Sequence, residues 1–177
     1  MRSGLPEVRN IGPAWLTAGL DRVRRLDWPT HRAVHGETPL LSLGELIMLA
    51  EAGNLRGRGG AGFPFARKLM AVAESANQKR SEVVVVVNGT EGEPGSYKDK
   101  VLLTRAPHLM LDGAVLAATA LRAREVVVGV TDPEAQVSVE SAIAERGLTG
   151  LARVVRLPER FVTGEGGALV RGINGLK

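Results

Sequence analysis

The sequence predicts an α/β domain, a Rossmann-like three-layer arrangement in which a mostly parallel sheet is covered by helices. Three observations point there. Residues 83–87 are five consecutive valines, which suits a strand buried on both faces, and residues 125–130 form a second valine-rich run. A shorter apolar run at 154–157 supplies a third strand. Between these runs lie segments of helical length, and strand, helix, strand, helix, strand at such spacings implies right-handed βαβ crossovers.

Taken in order, residues 1–40 read as an irregular lead-in punctuated by Pro6, Pro13, Pro29 and Pro39, with a short basic helix expected over residues 14–26. The α/β domain is expected over 41–177. His31 and His35 sit four apart, but no acidic or sulfur ligand stands at matching spacing, so a structural or surface role is expected rather than a metal site. Ser42-Leu43-Gly44-Glu45 has the pattern of a capping box, a hydroxyl at the N-cap and a carboxylate three residues on. The helix it starts, through Leu46, Ile47, Leu49 and Ala50, is stopped by Gly53. Pro64 suits the first turn of the next helix, where its missing N–H is no loss. Phe65, Leu69, Met70 and Val72 give that helix a partial apolar face, ending near Lys79. Beyond the first strand, a short helical stretch runs to Thr104. Residues 108–122 then carry apolar side chains on most faces, as a helix buried against a sheet would. His108, beside Pro107, is expected to cap or pack rather than to shuttle protons. Asp132-Pro133-Glu134 is a good helix start, the helix continuing over 135–146 and ending at Gly147. Residues 163–167 form a further glycine turn, followed by Ala168-Leu169-Val170.

Composition sets bounds. The 177 residues allow one domain with a sizeable core. The net charge of +4 permits an anionic partner. The basic residues are interleaved with acids along the chain, however, so nucleic-acid binding is not inferred. The chain has no cysteine, which excludes a disulfide, a thiolate nucleophile and a cysteine-ligated iron–sulfur cluster within these residues. The first residues lack the apolar core of a signal peptide, and no apolar run approaches membrane-spanning length. A soluble, cytoplasmic protein without direct membrane insertion is expected. No Ser/His/Asp or Cys/His constellation suggests a nucleophilic enzyme.

Two loops carry chemistry. The first is Gly57-Arg58-Gly59-Gly60-Ala61-Gly62-Phe63-Pro64. Its glycines let backbone approach a ligand closely. A glycine loop that opens a helix aims free N–H groups and a positive dipole end at what sits there, commonly a phosphate. Arg58, Arg67 and Lys68 add cations. Gly57, Gly59 and Gly62 fit the dinucleotide spacing G-x-G-x-x-G, which is diagnostic only directly after a strand. Here the preceding residues look helical, and no Gly-Lys-Ser/Thr follows, so the ordinary Rossmann and Walker readings fail. Spacing leaves phosphate binding and a purely structural turn both open. Residues 56–60 also resemble an arginine-glycine RNA-binding segment, but such segments are repeated and disordered, whereas this one occurs once between helical stretches. The second loop, Asn88-Gly89-Thr90-Glu91-Gly92-Glu93-Pro94-Gly95, lies at the carboxyl end of the first strand, where open α/β sheets gather their ligands. Amide, hydroxyl and carboxylate groups are concentrated there; a solvated acidic loop is the plainer alternative.

Together these loops, with Tyr97-Lys98-Asp99 after the second, closely resemble the FMN-binding domain of the flavoprotein that accepts NADH in respiratory complex I. Related subunits occur in NAD-linked hydrogenases and formate dehydrogenases. The similarity continues through Pro107-His108-Leu109 and reappears at residues 161–169, where Gly164-Glu165 matches a family Gly-Glu pair. The resemblance implies an FMN site and an overlapping NAD(P)H site. Gly57, Arg58, Gly59 and Gly60 would line the nucleotides, Phe63 would stack near the NADH adenine, and Lys68 would approach FMN. Asn88 and Glu91 would contact FMN, with Thr90 and Gly92 in the same loop, and Glu93 would contact NADH. Gly164 and Glu165 would close the flavin pocket. The function implied is that of a flavoprotein module in an NADH dehydrogenase. Hydride would pass from NAD(P)H to FMN and electrons onward to an iron–sulfur electron-transfer subunit or ferredoxin-like protein. Its place would be the cytoplasm, peripheral to the inner face of the membrane through a complex. Three departures stand out: Thr90 replaces an acidic residue of the family, Gly166 replaces a glutamate, and Phe161 replaces a tyrosine. Thr90 and Gly166, with the chain stopping at Lys177 before the remaining flavin contacts of the family, favour the alternative of a non-catalytic binding or assembly module that keeps the fold without FMN.

Overall fold

The computed structural model describes residues 15–57, 61–91, 95–158 and 166–175. In chain order the elements are α1 (Trp28–His35), α2 (Leu43–Ala52), α3 (Phe65–Lys79), β1 (Val84–Gly89), α4 (Lys98–Arg105), α5 (Pro107–Leu121), β2 (Glu125–Val130), α6 (Pro133–Glu145), β3 (Ala152–Arg156) and α7 (Gly166–Ile173). The three strands form a parallel sheet in the order β1-β2-β3. Register is fixed by Asn88 opposite Gly129 and Gly89 opposite Val130 on one side, and by Val128 opposite Val154 on the other. The α/β class with a parallel sheet is therefore the observed one.

Burial differs sharply between two similar sequences. Val126, Val127, Val128 and Val130 of β2 are fully buried. None of the valines of β1 is, and Val84 is exposed. The expectation that the first valine run lies buried on both faces is not met; the fully buried strand is β2. Among the described residues β1 is an edge strand with one neighbour, so part of its surface has nothing against it. On one face, Val126, Val128 and Val130 pack with Leu111, Ala114 and Ala118 of α5 and with Val139, Ala142 and Ile143 of α6. On the other, α7 approaches β2 through Leu169, whose side chain fills the space a Cβ on Gly129 would need.

Local signals account for most element boundaries. Ser42 caps α2 by accepting from the Glu45 amide, and the Glu45 carboxylate accepts from the Ser42 amide at 2.8 Å, completing the capping box. Asp132 caps α6 by accepting from the amides of Glu134 and Ala135. The basic helix expected over residues 14–26 does not form. From Trp15 the chain makes a series of turns, with Gly19 at φ 82°. The Arg105 guanidinium draws in the carbonyls of Leu20, Val23 and Arg24 at 2.7, 3.2 and 2.9 Å, oxygens that a continuous helix would hold in its own ladder. Helix α1, which the sequence reading passes over, starts where Asp27 accepts from the Thr30 amide at 2.9 Å. Helix α7 likewise occupies a stretch read only as a glycine turn and its continuation. No single helix among the described residues is long and apolar enough to cross a membrane.

At Gly89 an added Cβ would lie 2.6 Å from Leu103 Cδ1 and 3.0 Å from the Gly129 carbonyl. Leu103 can shift, but the carbonyl belongs to the sheet. Gly89→Ala is expected to cost about 1–3 kcal/mol through overpacking, read as a lower urea midpoint with an unchanged m-value.

Candidate functional site

The glycine loop is closed at its neck. The Gly57 amide donates to the Phe63 carbonyl at 2.9 Å, and the Phe65 amide donates to the Leu55 carbonyl at 2.9 Å. Arg56 and Pro64 pair as an antiparallel bridge. Gly62 takes φ +52°, a conformation that L side chains rarely adopt. Arg58, Gly59 and Gly60 lie outside the described residues. The neck delivers the chain into α3, whose N-cap, Pro64, offers no side-chain acceptor to the first turn. The donors and positive dipole end there are left uncapped by side chains. Phe63 and Lys68 are exposed, and with Val72, Ser75, Ser81 and Val84 they line an open groove of about 520 Å³. That volume falls in the range of small-molecule sites.

The second loop begins at the carboxyl end of β1. The Asn88 side-chain oxygen accepts from the Thr90 amide at 3.1 Å and from the Thr90 hydroxyl at 2.7 Å, an Asx turn that fixes the chain as it leaves the strand. Thr90 is buried. Glu91, whose side chain is only 2% exposed, turns back onto α4. Its carboxylate accepts from the Ser96 hydroxyl, from Lys98 Nζ at 2.9 Å, and from the amides of Asp99 and Lys100 at 3.2 and 3.4 Å. Helix α4 has no side-chain cap from its own N-cap, Tyr97, so Glu91 performs that office from outside the helix. Burial pushes the Glu91 carboxyl up, but the hydrogen bonds from Ser96, Lys98 and Lys100 outweigh it, and the net shift is downward. Lys98 is held above its ordinary value, first by its bond to Glu91 and then by Asp99. Gly92 and Glu93 lie outside the described residues, as do Gly164 and Glu165.

The site residues therefore fall into two groups. Asn88, Thr90 and Glu91 form one hydrogen-bonded unit at the carboxyl end of β1. Phe63 and Lys68 line a groove with Ser81 and Val84, toward the opposite end of that strand. The role of Ser96 escaped the sequence reading, because no periodicity links a loop glutamate to a hydroxyl five residues on. Among the described residues no group of three or more His, Cys, Asp or Glu is arranged to hold a metal ion.

The structure thus joins a parallel α/β sheet to a loop that opens α3 and a polar turn at the carboxyl end of β1. Residues 50–177 match the model of the Nuo51 FMN-binding domain, and the chain belongs to that family. It is 36% identical over 103 residues to an NADH-quinone oxidoreductase subunit from Rhizobium meliloti, covering 57% of this chain and 24% of that protein. With an NADH-quinone oxidoreductase subunit from Escherichia coli it shares 37% identity over 115 residues, 63% of this chain and 25% of the other. The alpha subunit of the NAD-reducing hydrogenase HoxS from Cupriavidus necator is 36% identical over 121 residues, 68% of this chain and 18% of that protein. The chain thus spans no more than about a quarter of the length of these relatives. A crystal structure of an NAD+-reducing [NiFe]-hydrogenase in the H2-reduced state superposes with a TM-score of 0.64 at 30% identity, over 76% of this chain and 24% of that one.

Replacing Glu91 by Gln keeps the shape and removes the charge on which four donors converge. Glu91→Gln is expected to lower stability by about 1–3 kcal/mol at neutral pH. Because the folded-state value is depressed, the carboxylate's contribution is full above the ordinary value of 4.5 and is lost as pH falls below it. Urea unfolding from neutral to acid pH should therefore show a shallower decline in the variant than in the parent.

Proposed function

We propose that this chain is the FMN-binding module of an NAD(P)H-oxidising flavoprotein, working with an iron–sulfur partner. The observation that carries the reading is family membership over residues 50–177, joined to a donor set that suits a nucleotide. The described residues offer donors for such a group in two separate places, at the start of α3 and at the carboxyl end of β1. An uncapped helix N-terminus and Lys68 suit a phosphate, Phe63 offers a ring for stacking, and the Asx turn at Asn88 holds an amide-bearing side chain at the strand end. Bound FMN would supply the chemistry of taking a two-electron equivalent from a nicotinamide and releasing it one electron at a time.

The chain's own residues would bind and orient. Gly57, Arg58, Gly59 and Gly60 would allow close backbone approach to the phosphates, with Lys68 adding charge. Asn88 would present its amide from the Thr90-anchored turn, with Gly92 giving room beside it. Glu91 would act mainly by fixing the loop onto α4, since its oxygens already receive four donors. Glu93 would meet the nicotinamide nucleotide, and Gly164 with Glu165 would close the pocket ahead of α7. No side chain need serve as nucleophile. Any cluster-ligating cysteine must come from outside these 177 residues, which contain none.

One feature favours a second reading, a binding or assembly module without flavin. Thr90 stands where the family resemblance implies an acidic residue, and its hydroxyl is spent on Asn88 inside the loop.

The deciding measurement is the visible absorption spectrum of the purified chain after addition of FMN and desalting, followed by anaerobic NADH. A retained flavin band that bleaches is the expected result; a colourless folded protein would overturn the first reading for these 177 residues on their own. Where flavin is retained, Asn88→Ala and Lys68→Ala should each weaken FMN binding by about tenfold, the loss of roughly one good polar contact, measured by fluorescence titration.

A further inference from the structure

Three histidines and a tryptophan meet where α1 packs on α5. Ring centroids lie 4.8 Å apart for His31 and His35, 5.4 Å for His31 and His108, 5.7 Å for Trp28 and His31, and 5.4 Å for Trp28 and His108. His31 and His108 are fully buried. His31 Nε2 is 2.7 Å from Asp112 Oδ2, and His108 Nε2 is 2.8 Å from Glu145 Oε2. Carboxylates only accept, so each ring donates from Nε2, and in a neutral ring Nδ1 then carries the lone pair. Those two Nδ1 atoms and Nε2 of His35 are buried without a hydrogen-bond partner.

The charged groups around the rings are already matched. Arg146, from α6, donates to Asp112 at 2.8 Å and lies 4.4 Å from the Trp28 ring centroid. Arg25, from the turns before α1, donates to Glu145 at 2.8 Å. Arg32 of α1 pairs with Glu37, Asp27 caps α1, and Arg105 of α4 binds carbonyls of the turns. Asp112 and Glu145 are thus each matched by a guanidinium, Arg146 and Arg25. A further proton would place an N–H where no acceptor waits, beside Arg25 and Arg146. A metal does not answer for the bare nitrogens, since no three ligands among the described residues are suitably disposed.

The part of the chain held by this cluster has a small apolar cluster of its own, in which Leu20 and Leu26 pack on Ala106 with Val23, Val101 and Leu109, apart from the core around β2. Gly36, at φ 80°, ends α1, and an exposed stretch joins it to α2.

We propose that the His31–His35–His108 cluster is a proton-operated latch, releasing residues 15–35 from α4, α5 and α6 on acidification while the sheet stays folded. Burial, then the neighbouring His31, holds His35 below its ordinary value of 6.5; burial does the same to His108 against the opposing pull of Glu145. The docked His35 and His108 rings bind protons less readily than free ones. Docking is therefore at full strength above about pH 6.5 and weakens as pH falls below it, by about tenfold per pH unit for each proton taken up.

Hydrogen exchange of the whole chain, followed by mass spectrometry at about pH 7.5 and 5.5 and corrected for intrinsic rates, tests this. Peptides from 15–35 should lose about tenfold or more of their protection at the lower pH, while those covering Val126–Val130 keep theirs. In His35→Gln the pH response of 15–35 should shrink by about tenfold per unit. Equal changes in both regions, or an unaltered response in His35→Gln, would overturn the latch. Should the variant fail to dock even at the higher pH, the parent's histidine ring-proton NMR titration decides. Midpoints for His35 and His108 below 6.5 that coincide with the loss of protection support it; midpoints at or above 6.5 overturn it.

Discussion

The interior of β2 is the constraint from which the remaining geometry follows. Val126, Val127, Val128 and Val130 have no contact with solvent, and the strand is paired along its length on both sides. Removing four valine side chains from water is worth several kcal/mol, and the parallel ladders leave the backbone satisfied. A slip of one residue would turn the valines that meet α5 and α6 toward α7, so the register is held by packing. That register sets Gly89 against Val130 and Asn88 against Gly129. The acidic loop therefore leaves the sheet from a point where backbone lies against backbone, and only glycine fits there.

From that point a single short helix carries the consequences outward. Helix α4 is gripped at its N-terminus by the Glu91 carboxylate and joined at its C-terminus to the lead-in, through the Arg105 side chain and the bond from the Leu26 amide to the Arg105 carbonyl. Its two ends thus meet the candidate cofactor loop and the turns that precede α1. Both junctions are charge-assisted or multiply hydrogen-bonded, which makes them stiff and directional in a way apolar packing is not. The same helix contributes Leu103 beside Gly89 and Val101 to the cluster under the lead-in.

The proposed function and the proposed latch draw on different parts of the chain. The match over residues 50–177 embraces the sheet, both loops and α7. The histidine cluster depends on α1, which precedes the matched region. The proposed cofactor site and the proposed latch are consequently separable: one draws on polar groups at the ends of β1 and α3, the other on imidazoles balanced between α1, α5 and α6.

Much of the fold was legible in the sequence because it rests on local chemistry. The capping box at Ser42, the Asp132-Pro133 start of α6, the valine content of the strands and the stop at Gly53 each act within a few residues, and each element appears where those signals stand. The two loops were likewise visible as glycine and carboxylate patterns next to a helix start and a strand end. What the sequence could not express was which surfaces would be covered. Two nearly identical valine runs became a buried central strand and a partly exposed edge because only one acquired neighbours on both sides. The stretch before α1 has helical composition, yet Arg105, more than eighty residues away, claims its carbonyls. Glu91 looks like an outward acidic ligand in one dimension and proves to be a buried helix cap in three. Nothing local joins His108 to His31 and His35, more than seventy residues before it. The sequence determined the elements and the family, through short-range hydrogen bonding and apolar spacing; the tertiary structure alone decided burial, and with it which polar groups have partners and which stand bare.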